Sequence, residues 1–363
     1  MEIMIILLCL VSGIKCSKRT NYYNIMKISK LLMRLGVVVI FVALAASAGA
    51  AVLYPVVVNG KWGYANKAGE IVTNPQFDRA GSFSEGLADV RMGRWGYVDV
   101  SGKVVINPQF DKVAAFSDGL AAVRLGGGGP TPFNPFGVGG GGRYGYINSE
   151  GKYVVNPQFD DAGTFAGGLA AVKLGGHWGF IDKTGKVVIN PQFDDAGAFS
   201  DGLAVVKMAG KFGYTDTSGK TVINPQFEKA QPFSEGLAAI RNGGHWGFVD
   251  KTGKITIDAQ FEDVGSFVNG LAPARMNKRW GYVDKAGKFV INAQFNEATA
   301  FAENLAAVRP AKQWGFIDKT GKTVINPQFD EVKPFSQGLA QVTVGGRIGY
   351  IDPAGKFVWN LSK

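Results

Sequence analysis

A large apolar residue followed by glycine recurs nine times along this chain, at Trp62-Gly63, Trp95-Gly96, Tyr144-Gly145, Trp178-Gly179, Phe212-Gly213, Trp246-Gly247, Trp280-Gly281, Trp314-Gly315 and Ile348-Gly349. From Gly145 onward successive copies stand 34 residues apart. A fixed period of that length marks an array of small units, each too small to bury a core alone and each completed by its neighbours. The length of 363 residues therefore says little about the number of domains.

Two further landmarks keep the same register. Pro-Gln-Phe begins at residues 75, 108, 157, 191, 225 and 327, and Gly-Leu-Ala begins at 86, 119, 168, 202, 236, 270 and 338. The departures are small: Ala259 and Ala293 stand in the proline slot and Asn304 in the glycine slot. On these three motifs the chain resembles the WG-repeat (KWG, Trp-Gly repeat) family of bacterial proteins over essentially all of residues 56–360. The resemblance implies a repeat fold and supplies no catalytic residues.

Within one unit, Trp178 to Asp182 and Lys186 to Ile189 are aromatic or β-branched runs joined by Asp182-Lys183-Thr184-Gly185. Asp opening a tight turn and Gly in its left-handed position predict a hairpin. Leu203 to Lys207 leads into the next aromatic-Gly strand through a short Gly-containing turn, so each unit reads as a three-stranded antiparallel meander. The stretch from Asn190 to Gly202 reads as a crossover pinned by Phe193 and Phe199. The strands are apolar or small on both faces, which requires cover on both sides, most simply by stacking repeat on repeat. Nine units exceed the usual propeller of about four to eight blades, and 34 residues is short for a four-stranded blade of about 40 to 45. The expected fold is therefore all-β, with tandem three-stranded meanders stacked as an open β-superhelix or solenoid; a closed β-propeller is the alternative. The Trp residues read as buried structural groups, and the glycine after each as room for a neighbouring backbone.

The leader has a different composition. Lys27, Lys30 and Arg34 precede an uncharged apolar run from Leu35 to Leu44 and a small-residue stretch ending at Ala50. This is the design of a secretory signal peptide. The expected division is 1–25 as an extension upstream of the real start at Met26, 26–50 as signal peptide or anchor, and 51–363 as the array. Export to the periplasm, cell surface or medium is expected; if the leader stays uncleaved, residues 35–54 would contact and anchor in the membrane. Both cysteines, Cys9 and Cys16, lie in the leader, so the array can form neither a disulfide nor a Cys-ligated zinc site. The net charge of +10 is also partly the leader's, because Met1 to Val52 hold six basic residues and one acidic. The remaining residues carry 33 basic against 28 acidic, too mild an excess to indicate a nucleic-acid partner.

Chemistry is harder to place. An enzyme needs unlike groups converging in one pocket, whereas here each group recurs in the same slot: Asp99, Asp182, Asp216, Asp250, Asp284, Asp318 and Asp352 all open the same turn. No catalytic residue, cofactor or metal site is expected. His177 and His245 occupy equivalent positions before Trp178 and Trp246 and read as surface side chains. A Gly/Pro-rich insertion at 126–142 carries Phe133 and Phe136, which form a candidate contact loop. Equivalent positions also stack into columns: Lys103, Lys152, Lys186, Lys220, Lys254, Lys288, Lys322 and Lys356 in one, and Arg91, Arg124, Lys173, Lys207, Arg241, Arg275 and Arg309 in another. An acidic column of Asp78, Asp111, Asp160, Asp194, Glu228, Glu262 and Asp330 is placed to neutralise them. The expected function is that of a monomeric, non-enzymatic exported repeat protein offering a surface to a protein or envelope partner; the alternative is a glycan- or polyanion-binding surface.

Overall fold

The structure, a computed structural model, describes residues 52–126 and 142–362. The leader and the residues Phe133 and Phe136 lie outside the described residues. Among the described residues no helix is long and apolar enough to cross a membrane.

The described residues form nine antiparallel sheets, one per repeat. Blade 1 has three strands, β1 (Leu53–Val58), β2 (Lys61–Asn66) and β3 (Ile71–Phe77). Blade 2 has four: β4 (Arg79–Ala80), β5 (Leu87–Met92), β6 (Arg94–Asp99) and β7 (Val104–Phe110). Blade 3 repeats the pattern with β8 (Lys112–Val113), β9 (Ala121–Leu125), β10 (Arg143–Ile147) and β11 (Tyr153–Phe159). Blades 4 to 9 follow in chain order and are also four-stranded. The crossover thus supplies a strand of its own, where three strands per unit were expected. It does so by backbone pairing: in blade 2 the Asp78 and Gly81 amides donate to the carbonyls of Arg91 and Asp89, each at 2.8 Å.

The open superhelix is overturned by where the core lies. Nine apolar clusters sit between successive blades, the first joining Tyr64 and Phe77 of blade 1 to Val90 and Val98 of blade 2. The last joins blade 9 back to blade 1, with Leu339 and Tyr350 packed against Tyr54, Val56 and Ala65. The array is a closed nine-bladed β-propeller. A repeat of 34 residues completes a four-stranded blade because its turns are tight and its first strand, such as Arg79–Ala80, is very short.

One interface differs from the other eight. Elsewhere a crossover phenylalanine seats on a ring of the preceding blade, as in Tyr64–Phe83 at 4.8 Å, Tyr97–Phe116 at 4.9 Å and Phe180–Phe199 at 4.9 Å. That phenylalanine stands opposite a small alanine, Phe199 against Ala204. Blade 1 lacks the crossover strand among the described residues, and its alanine slot holds Tyr54 instead. The Tyr54 ring lies 5.5 Å from that of Tyr350, and its hydroxyl donates to the Gln337 carbonyl at 2.7 Å. Tyr350 in turn donates to the Pro55 carbonyl at 2.7 Å. At this interface the Tyr54 ring takes the place that the crossover phenylalanine fills in the sibling blades.

The glycine of the repeat also has a more local reason than expected. A Cβ on Gly179 would lie 2.5 Å from the Ile189 carbonyl oxygen and 2.7 Å from the Pro191 nitrogen. Both belong to the bulged strand of the same blade, where the pairing slips between Trp178–Phe193 and Phe180–Ile189. The glycine makes room for that bulge and not for a neighbouring repeat.

Candidate functional site

Directly opposed residues in an antiparallel pair project on the same side. At the end of each four-stranded blade where its second and third strands turn, the register therefore builds one row of four side chains. In blade 5 the row is Asp195, Lys207, Phe212 and Phe227. The aromatic of the repeat motif lies beside a cation in most blades, and in three of them the two stack. Lys207 Nζ lies 5.3 Å from the Phe212 ring centre, the Arg309 guanidinium 5.6 Å from Trp314, and that of Arg124 5.9 Å from Tyr144. Trp62, Trp95, Trp178, Trp280 and Trp314 are half-buried and only Trp246 is buried, where burial was expected of all.

The residue preceding each motif position is exposed: Lys61, Arg94, Arg143, Lys211, Arg279 and Arg347 are cationic, and His177, His245 and Gln313 fill the other three. Several reach the next blade. Lys61 meets Asp78 at 2.8 Å, Arg94 lies 3.9 Å from Asp111, and Arg143 pairs with Asp160. The acidic column does a second job here. Asp78 accepts the Gly93 amide at 2.9 Å, Asp160 that of Gly175 at 3.0 Å and Asp330 that of Gly345 at 2.6 Å, closing the hairpin tips. The Lys61 ammonium, hydrogen-bonded to Asp78, holds that carboxyl below the usual carboxylate range.

The lysine column, Lys103 to Lys356, follows the Asp-opened turns at the other end of the blades, so it and the Arg/Lys column face opposite sides and cannot grip one ligand together. On the lysine side the blades are linked by carboxylates absent from the sequence-based candidates. Glu85, Asp118, Asp201, Glu235 and Glu303 accept the amides of Gly119, Gly168, Gly236, Gly270 and Gly338 in the following blade, at 2.8 to 2.9 Å. Each sits in the left-handed backbone region, at φ between 50° and 54°. Their signal was the recurring acidic residue before the glycine of Gly-Leu-Ala.

At the foot of the insertion, a cavity of about 370 Å³ opens between blades 3 and 4, lined by Lys112, Arg124, Arg143, Tyr144, Asp160 and Asp161. Among the described residues no group of three or more His, Cys, Asp or Glu is placed to hold a metal ion.

The fold resembles that of solved structures at low identity. A structure described as the eukaryotic initiation factor aligns with a TM-score of 0.60 at 13% identity, covering 86% of this chain and 98% of that one. BamB from Moraxella catarrhalis aligns at a TM-score of 0.42 and 11% identity, over 84% of this chain and 92% of that one. Hsv2p of Kluyveromyces lactis aligns at 0.40 and 11%, over 70% and 98%. No curated protein matches the chain in sequence. The family model described as WG containing repeat matches residues 62–94, 95–128, 144–177, 178–212, 212–245, 246–280, 280–309 and 314–347. With every blade from the first to the ninth touched by a match, this chain belongs to the family of WG-repeat proteins.

Proposed function

We propose that this propeller is a non-enzymatic, exported binding protein that presents its Trp-bearing hairpin face to an anionic polymer of the cell envelope. The observation that supports this is the ring of paired cations on one face: Arg91, Arg124, Lys173, Lys207, Arg241, Arg275 and Arg309 beside the aromatics, and Lys61, Arg94, Arg143, Lys211, Arg279 and Arg347 just ahead of them. Cations already stacked on Tyr144, Phe212 and Trp314 leave those three rings poorly placed to stack on neutral sugars, which favours charge over ring stacking as the recognition principle. Export rests on the leader, and the absence of catalysis on the equivalence of each carboxylate to its counterparts in sibling blades.

Mature protein beginning near Ala51 should be retained on heparin, elute with rising salt and pass through uncharged dextran. Passage through heparin at low salt would defeat the polyanion reading. A protein partner is the second reading, and it rests on Phe133 and Phe136 in the insertion. Affinity capture from an envelope fraction with and without residues 127–141 tests it, and equal capture by both forms would count against the loop.

A further inference from the structure

We propose that blades 2 and 3 form the primary anion-binding sector of this face, taking sulfate or phosphate esters spaced along a polymer; the inference rests on the polyanion reading above. The repeats act as controls for one another at the first position of the crossover strand. Asp161 stands opposite Lys173, Asp195 opposite Lys207, Asp263 opposite Arg275 and Glu297 opposite Arg309. In those blades an acid faces the cation beside the aromatic across the sheet, and in blade 8 the two form an ion pair. In blades 2 and 3 the same pairs are Arg79 opposite Arg91 and Lys112 opposite Arg124. Like charges directly opposed across a sheet are destabilising, so two successive blades carry a cost that folding does not require. Blade 6 has such a pair, Lys229 opposite Arg241, but it is flanked by the unlike-charge pairs of blades 5 and 7.

The cavity between blades 3 and 4 gives the second, independent observation. Of its two acids, Asp160 is engaged by Arg143 and the Gly175 amide, while Asp161 accepts the Ala162 amide at 2.9 Å and stands opposite Lys173. Lys112 and Arg124, which line the same cavity, face each other and no acid across the sheet; Arg124 Nε donates to the Gly142 carbonyl at 3.0 Å and its guanidinium lies over Tyr144, with no carboxylate in ion-pair contact with either cation among the described residues. A volume of about 370 Å³ accepts an oxyanion ester with the adjoining part of its polymer. Guanidinium groups supply the planar donor fork that such esters take up in pairs of hydrogen bonds.

The test uses the exported chain without its leader, on heparin as the sulfated probe and inorganic polyphosphate as the phosphorylated one. Arg79→Asp and Lys112→Asp restore the charge pattern of the sibling blades, and Lys229→Asp makes the same charge change in blade 6. The double variant R79D/K112D should bind at least about tenfold more weakly, with a salt slope lower by on the order of 1 for each cation removed, while K229D stays within about twofold of wild type. Should the aspartates disturb folding, judged by circular dichroism, Arg79→Ala and Lys112→Ala carry the same comparison. Weakening of heparin binding alone assigns sulfate esters, and of polyphosphate binding alone phosphate esters. Equal losses in the blade 6 and blade 2–3 variants would overturn the sector while leaving the face as a polyanion surface. A wild-type protein retained on neither probe would overturn both.

Discussion

Asp89 occupies a slot that sibling blades fill with Ala122, Ala171, Ala239 and Ala307. Burial pushes its carboxyl above the usual carboxylate range, and the Tyr64 and Tyr97 side chains sit close enough to feel its charge. A folded-state value raised above the unfolded one means that the contribution of Asp89 to stability is fully present below about pH 4 and is lost as pH rises through the raised value. Asp89→Ala should therefore stabilise the protein at pH 7 by on the order of 1 kcal/mol and by less at pH 3, checked by comparing wild-type and variant melts at each pH. An equal gain at both pH values would mean that ionisation is not the source. The repeat glycine makes the opposite prediction. Gly179→Ala should cost about 1–3 kcal/mol, because its methyl group meets backbone and not a movable side chain; urea titration measures the loss.

At the scale of the element, the Asp-opened turn between the third and fourth strands is the most repeated local device. Asp182 Oδ1 accepts the Thr184 hydroxyl at 2.6 Å, the Thr184 amide at 2.9 Å and the Lys186 amide at 3.0 Å. The hydroxyl bond, followed by the two amides, draws the carboxyl below its ordinary value, and Asp99, Asp216, Asp250 and Asp318 are held down in the same way by Ser101, Ser218, Thr252 and Thr320. Lowered folded values give stability that is present above the unfolded value and lost as pH falls through the folded one. The propeller should lose stability progressively below about pH 4, and Asp182→Ala with Asp250→Ala should flatten that decline in urea midpoints measured against pH. These turns were legible in the residues alone because each bond spans at most four positions. The short first strand of each blade was not, since β4 and β8 are defined by pairing with a strand ten or more residues away and not by any apolar alternation of their own.

For the whole molecule, closure makes every blade part of two interfaces. Removal of residues 331–363 would uncover Tyr54 and Val56 on one side and Phe316 and Ile325 on the other. Scanning calorimetry should then show loss of the native transition, where an open array would lose one terminal step and keep the rest. Tyr54→Ala tests the seam more gently. It gives blade 1 the alanine of its siblings without the phenylalanine that alanine normally faces, and should cost about 3 kcal/mol with hydrogen exchange rising first in β1 and in residues 340–351. A uniform rise around the ring would place the weakness elsewhere.

The repeat motif, taken alone, determined the all-β class, the number of units, the Asp-opened hairpins and the burial of Phe193 and Phe199 in the core, because each depends on contacts within one period or on a composition that admits no other solution. Whether the array curls shut depends on the rotation from one blade to the next, a small angle set by packing across whole sheets and multiplied nine times, which no single repeat encodes. The binding face had the same history. The cations and aromatics were visible as columns, but only the fold separated the two columns onto opposite sides, set Arg79 against Arg91 and Lys112 against Arg124, and opened the cavity beside them.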